Sequence, residues 1–271
     1  MSAFPSTVID AHAHIYPHKI ADRAVDSVGD FYLVPMAGKG TSEDLLGHMK
    51  TSPITNYIVH SVAMKKEQTE IINNFIAEQC NLHPEFIGFM GMHQDCEDME
   101  AEVERAIGLG LRGVKIHPDS QKVNLDDPRL MELYEIIEGK LPVVIHTGDY
   151  RYDYSHPRRL KHVLQTFPDL VVDAAHFGGW SLFDIAVDNL NEENCFFDAS
   201  SAMAFLGNRR TRELVHTYGV DRVMFGSDFP MWDPTLEFER LTSCGFTDDE
   251  LEKLLWKNAE RFMGFTVESL S

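Results

Sequence analysis

Cysteine is scarce in this chain and scattered along it. Cys80, Cys96, Cys195 and Cys244 are the only four and none stands in a CxxC spacing, so neither a disulfide framework nor a zinc–thiolate knot has support. No stretch approaches the roughly 18 apolar residues that a membrane span needs. The opening MSAFPSTVID lacks the basic region and apolar run of a secretory signal. Positive charge is short too: 24 Lys+Arg against 43 Asp+Glu leave a net charge of −19. A surface that neutralises phosphates would have to be built against that field, which argues against nucleic-acid and anionic-membrane partners. There is no GxGxxG or GxxxxGK loop and no long Pro/Gly/Ser linker. The expectation left standing is a cytoplasmic, single-domain protein over residues 1–271, working on a small molecule.

Short apolar, β-branched runs recur along the chain. VIDAHAH begins at residue 8, NYIVHSV at 56, FIGFMGM at 86, GVKIHP at 113, VVIHTG at 143, VVDAAHF at 171, CFFDASS at 195 and VMFGSDFP at 223. After a first interval of 48 residues the starts are 24–30 apart, which is room for one strand, one helix and two loops each time. The segments between them read as helices. Ile71, Ile72, Phe75, Ile76 and Cys80 share one helical face, and Met99, Val103, Ala106 and Ile107 another. Thr41-x-x-Asp44 and Thr247-x-x-Glu250 fit capping boxes, and Asp127-Pro128 fits an N-cap followed by a first-turn proline. Eight such units close most simply into one (β/α)8 barrel, an α/β fold whose active sites lie at the C-terminal ends of the strands. The long first interval predicts a glycine-containing loop over residues 15–42 that acts as a lid.

Histidines collect at those strand ends. His12 and His14 end the first run, His117 the fourth, His146 the fifth and His176 the sixth, while Asp228 ends the eighth and His60 lies in the second. Residues two apart on a strand face the same side, so His12 and His14 point inward together. A lone HxH is a weak signal. Polar termini on four separate runs of an eight-run series are a strong one, because a barrel brings them to one rim, where three imidazole nitrogens and one carboxylate oxygen suit Zn²⁺, with Mn²⁺ or Fe²⁺ as alternatives.

Carried by IDAHAH (9–14), GVKIHP (113–118), VVIHTG (143–148), AHFGG (175–179), FGSDFP (225–230) and LLWKNAERFMGF (254–265), the chain resembles the amidohydrolase superfamily, and within it the amidohydrolase-related branch of hydrolases, hydratases and nonoxidative decarboxylases. The resemblance spans nearly the full length. It implies a TIM barrel with one divalent ion on His12, His14, His146 and Asp228, and His176 beside it as a catalytic residue that orients substrate or water. Asp228 would also act as the catalytic base that accepts the water proton. The leading expectation is therefore a metal-dependent hydrolase of an amide, ester or lactone. A nonoxidative decarboxylase of a small carboxylic acid, aromatic or not, is the alternative, and a barrel that binds metal or ligand without turnover is the third.

Substrate contacts are expected from His117, Lys115, Arg151 and Trp232. Lys115 shares the inward face with His117 and invites two readings, a carboxylated bridge between two metals or an ion pair with Asp10 or another acid. Arg151, in GDYRYDYSHPRRL, has two readings, a bidentate clamp on a substrate carboxylate or a solvated surface arginine. Tyr16, Phe177, Trp180 and Trp232 follow polar strand ends and suggest an apolar wall. His60 is read as a rim residue, and Asp173 as an acid in an apolar strand without an evident partner. Homo-oligomer formation is the prior for a soluble enzyme of this size.

Overall fold

A computed structural model describes residues 4–270; residues 1–3 and 271 of the domain expected over 1–271 lie outside the described residues. Each of the eight apolar runs forms strand structure: β1 (Ile9–His14), β2 (Asn56–His60), β3 (Phe86–Gly88), β4 (Met90–Gly91), β5 (Val114–Ile116), β6 (Val143–Ile145), β7 (Val172–Ala174), β8 (Phe196–Asp198) and β9 (Val223–Met224). There are nine strands for eight runs because the third run divides at Phe89. That residue donates its N–H to Val59 on one side, while Met90 turns to Gly113 on the other. All strand pairs are parallel, in the orders β1-β2-β3 and β4 through β9.

The last run returns to the first. Ala11 N donates to Phe225 O at 2.9 Å, Asp228 N to His12 O at 2.7 Å and His14 N to Phe229 O at 2.6 Å, with a parallel bridge between Ala13 and Phe229. These bonds tie the two ends of the strand series in the manner of a (β/α)8 barrel.

Side-chain alternation then sorts the core into two clusters. Val59, Val114, Ile116, Val143, Ile145, Val172 and Phe197 pack outward against the helices. Ile58, Ile87, Phe89, Val144, Ala175 and Met224 fill the barrel interior together with Phe262 and Met263 of the C-terminal helix Asn258–Met263. That helix stoppers the barrel at the end opposite the histidines. Gly264, in the left-handed conformation at φ 78°, terminates it.

The helix signals hold in detail. Met99, Val103 and Ala106 are buried as their spacing predicts but Ile107 is 43% exposed, and Ile71 stays 67% exposed because its face of the helix Thr69–Leu82 turns to a cavity rather than the core. Thr247 and Glu250 make a full capping box; Thr41 caps Asp44 N, but the Asp44 carboxylate accepts from Lys39 N instead of returning. Thr247→Ala should cost about 1 kcal/mol of unfolding free energy, read from urea denaturation; no change would mean that water replaces the cap without loss. Residues 15–42 depart from expectation. They contain a 15-residue helix, α1 (His18–Tyr32), lying over the barrel mouth.

Candidate metal centre

Hydrogen bonds at the strand ends fix which ring nitrogens face inward. His12 Nδ1 lies 2.7 Å from Asp198 Oδ2, an acceptor only, so Nδ1 carries the proton and the Nε2 lone pair points to the mouth. Nε2 stands 3.5 Å from Asp228 Oδ1, and His14 Nε2 stands 3.4 Å from that same oxygen. Ligands about 2.1 Å from one tetrahedral ion sit roughly 3.4 Å from one another.

His146 and His176 complete the picture from the next two strands. His146 Nε2 bonds the Gly148 carbonyl at 3.1 Å, which places its proton there and leaves Nδ1 as a lone pair. His176 Nδ1 bonds the Ser200 carbonyl at 3.1 Å, which leaves Nε2 as a lone pair. Those two lone pairs face each other at 3.1 Å. Two acceptors at that distance repel unless a cation or a proton lies beside both, so His146 and His176 suit a cation; among the described residues the tight groups of ligand atoms are His12 with His14 and His60, His12 with His176 and Asp198, and His117 with Asp119 and His146. Asp198 is the carboxylate that orients a histidine from behind, a common partner of metal-bound imidazole; its Oδ1 accepts from His176 N, Ser200 N and Ser200 Oγ. Asp228 Oδ2 accepts a short hydrogen bond from Ser201 Oγ.

Burial holds the imidazoles neutral, as ligands must be. His12 is pushed down to about 4 by burial and by the Lys115 charge, and burial also lowers His14 and His146. Burial works against the charge on Asp228, but the histidines beside it, His14 first, keep its carboxyl below the usual range. Lys115, 1% exposed, is pushed down to about 8 by burial, opposed by Asp228, Asp198 and Asp173.

The centre forms the floor of a cavity of about 570 Å³ whose walls are mainly apolar: Ile20, Val28 and Phe31 of α1, with Val62, Ile72 and Phe75 opposite. His12, His14, Lys115, His117, His146, His176 and Asp228 all line it. A larger open depression of about 700 Å³, around Asp95, Glu97 and Arg129, has no such convergence of imidazoles.

Several sequence expectations need correction. Arg151 does not line the cavity; its guanidinium is held by Asp149 Oδ2 at 2.7 Å and by the Phe31 carbonyl at 2.5 Å, and lies 4.8 Å from the Phe31 ring. Trp232 also stands outside, donating Nε1–H to Ser201 Oγ at 2.9 Å and so acting behind Asp228. Of the proposed apolar wall, Tyr16 lines the cavity, while Phe177 belongs to the outer core. Lys115 makes no ion pair with Asp10 among the described residues; Nζ lies 2.9 Å from His12 Nε2, and Asp10 accepts from His12 N and Ser227 N. Asp173 points into the same charged interior, its carboxyl raised by burial and by Asp198.

His60 is not on the rim. It is fully buried, edge-on to His14 at 4.4 Å and His12 at 4.9 Å, with neither ring nitrogen bonded. Asp198 and Ser200 escaped the sequence reading although Asp198 ends the seventh run, the same signal that exposed Asp228. Tyr32 gave no signal, since its place depends on how α1 lies.

A family model described as Amidohydrolase matches residues 9–265. The chain belongs to the amidohydrolase family. Solved structures of similar fold include an uncharacterised TIM-barrel protein from Bordetella bronchiseptica (20% identity, TM-score 0.75, 95% of this chain and 98% of that one). A 5-carboxyvanillate decarboxylase from Sphingomonas paucimobilis is 15% identical (TM-score 0.73, 97% and 100%). A dihydroxybenzoic acid decarboxylase from Polaromonas, solved with manganese and the inhibitor 2-nitroresorcinol, is 17% identical (TM-score 0.70, 95% and 97%). No curated protein matches the chain.

Proposed function

We propose that this protein is a metal-dependent nonoxidative decarboxylase of a small aromatic acid, with hydrolysis, the leading expectation from sequence, as the competing activity. The observation that carries it is that His12 and His14, 3.5 and 3.4 Å from Asp228 Oδ1, share the floor of one largely apolar cavity of about 570 Å³ with His146 and His176. The decarboxylase names and manganese of the similar structures support the same choice. His12, His14, His146 and Asp228 are the residues we assign to hold a divalent ion, Mn²⁺ or Zn²⁺. When bound, that ion supplies positive charge to anchor a substrate oxygen and to offset negative charge that develops during reaction.

The chain's own groups supply the rest. Apolar walls strip water from the substrate carboxylate, which favours its departure as neutral CO₂. The C–C bond breaks, its electron pair stays on the ring carbon, and a proton that we assign Asp228 to relay from solvent takes the place of the lost group. Lys115 Nζ is the donor we assign to hold a substrate oxygen, and His176, on the cavity floor, is the catalytic residue we assign to orient the reacting carbon.

The test compares CO₂ release from 2,6-dihydroxybenzoate and 5-carboxyvanillate with turnover of an ester and lactone panel, using Mn²⁺- and Zn²⁺-loaded protein. Metal-dependent CO₂ release is expected. Ester or lactone turnover without it would return the assignment to hydrolysis.

A further inference from the structure

Helix α1 ends over the centre, and its last residue makes a contact whose direction can be worked out. Tyr32 Oη lies 2.7 Å from His117 Nε2. The other nitrogen of that ring, Nδ1, accepts the backbone N–H of Ser120 at 3.3 Å, where it caps the short helix Pro118–Gln121. A neutral imidazole has one N–H, and Nδ1 is occupied as an acceptor, so the hydrogen is on Nε2. The Nε2–H therefore donates to Tyr32 Oη. The tyrosine is the acceptor in this bond, and its own O–H has no partner among the described residues.

The hydroxyl is also held in place. His117 stacks face to face on His146 with ring centroids 3.9 Å apart and planes within 8°. Arg151 bonds the Phe31 carbonyl at the C-terminus of α1 and lies 5.5 Å from the Tyr32 ring, while Trp180 packs against that ring at 5.0 Å. The arginine expected to clamp substrate is thus a positioning residue for the helix end. An oriented hydroxyl on a cavity wall, with its proton uncommitted, is a donor prepared for a ligand.

We propose that Tyr32 is a substrate-binding residue that donates a hydrogen bond to an oxygen substituent of the bound acid, distinct from the oxygen held at the metal centre, and so selects ring acids that carry a neighbouring hydroxyl or phenolate. The inference rests on the aromatic-acid reading above. It adds a specificity device on α1, outside the strand-end histidines.

Two measurements decide it. In the metal-free protein, ¹⁵N NMR of the histidine rings should show His117 protonated on Nε2; a proton on Nδ1 would reverse the Tyr32 bond and overturn the proposal whatever the substrate. In Mn²⁺-loaded protein, calorimetric titration with salicylate and benzoate compares two acids that differ by one hydroxyl. Wild type should favour salicylate by roughly 10-fold, and Tyr32→Phe, which keeps the ring, should reduce that preference to about 2-fold or less. An unchanged preference in Tyr32→Phe, or none in wild type, removes the assignment and leaves the decarboxylase reading in place. Binding of neither acid to wild type overturns both.

Discussion

Replacing Asp198 by asparagine is expected to lower the affinity for a divalent ion by roughly 10–100-fold while the fold persists. Three donors, His176 N, Ser200 N and Ser200 Oγ, converge on Asp198 Oδ1, so the asparagine carbonyl would be held at that position. Its NH₂ would then occupy the place of Oδ2 and donate to His12 Nδ1, forcing the ring proton onto Nε2, the nitrogen that faces Asp228 and Lys115. The ligand lone pair would be lost without any change in volume. Competition with a metallochromic chelator gives the affinity, and circular dichroism checks the fold. An affinity within about 2-fold of wild type would show that His12 is not a ligand or that Asp198 does not set its tautomer.

Phe262→Ala should have the largest effect on stability, about 3–5 kcal/mol. Its ring is 1% exposed and packs within the barrel interior on Phe89 at 6.0 Å and Phe196 at 5.7 Å between centroids. Truncation leaves a void among strand residues that cannot collapse inward, since the parallel ladder fixes their backbone. Tm should fall by about 10 °C in a thermal melt. A loss below about 1 kcal/mol would mean that the C-terminal helix does not plug the barrel.

The architecture was open to reading from the chain because strand period and helix caps are local signals. Asp127 and Thr247 cap the helices they were expected to cap, and the eight apolar runs became the strand series that surrounds the core. The inward histidines followed from alternation along β1. What could not be read depends on packing between distant segments. Arg151 was assigned to substrate, yet the Phe31 carbonyl that captures it lies 120 positions away in sequence. Trp232 was placed in the mouth for the same reason and is taken up by Ser201. His60 sits on β2 directly beside His14 in the parallel register, a neighbour relation that no single strand reveals. The sequence predicts a loop where α1 lies, because the glycine and polar residues of that segment mask an apolar stripe that covers a cavity rather than the core.

The stopper at the foot of the barrel has a further bearing on turnover. With Phe262 and Met263 filling that end, the cavity closes toward the foot of the barrel, and the acid and phenol of the proposed reaction would pass beneath α1. Traffic would then be sequential: a vacating ring would have to clear the helix before its successor enters. For a bulky ring the pace of the cycle would be governed by egress under that helix rather than by bond cleavage.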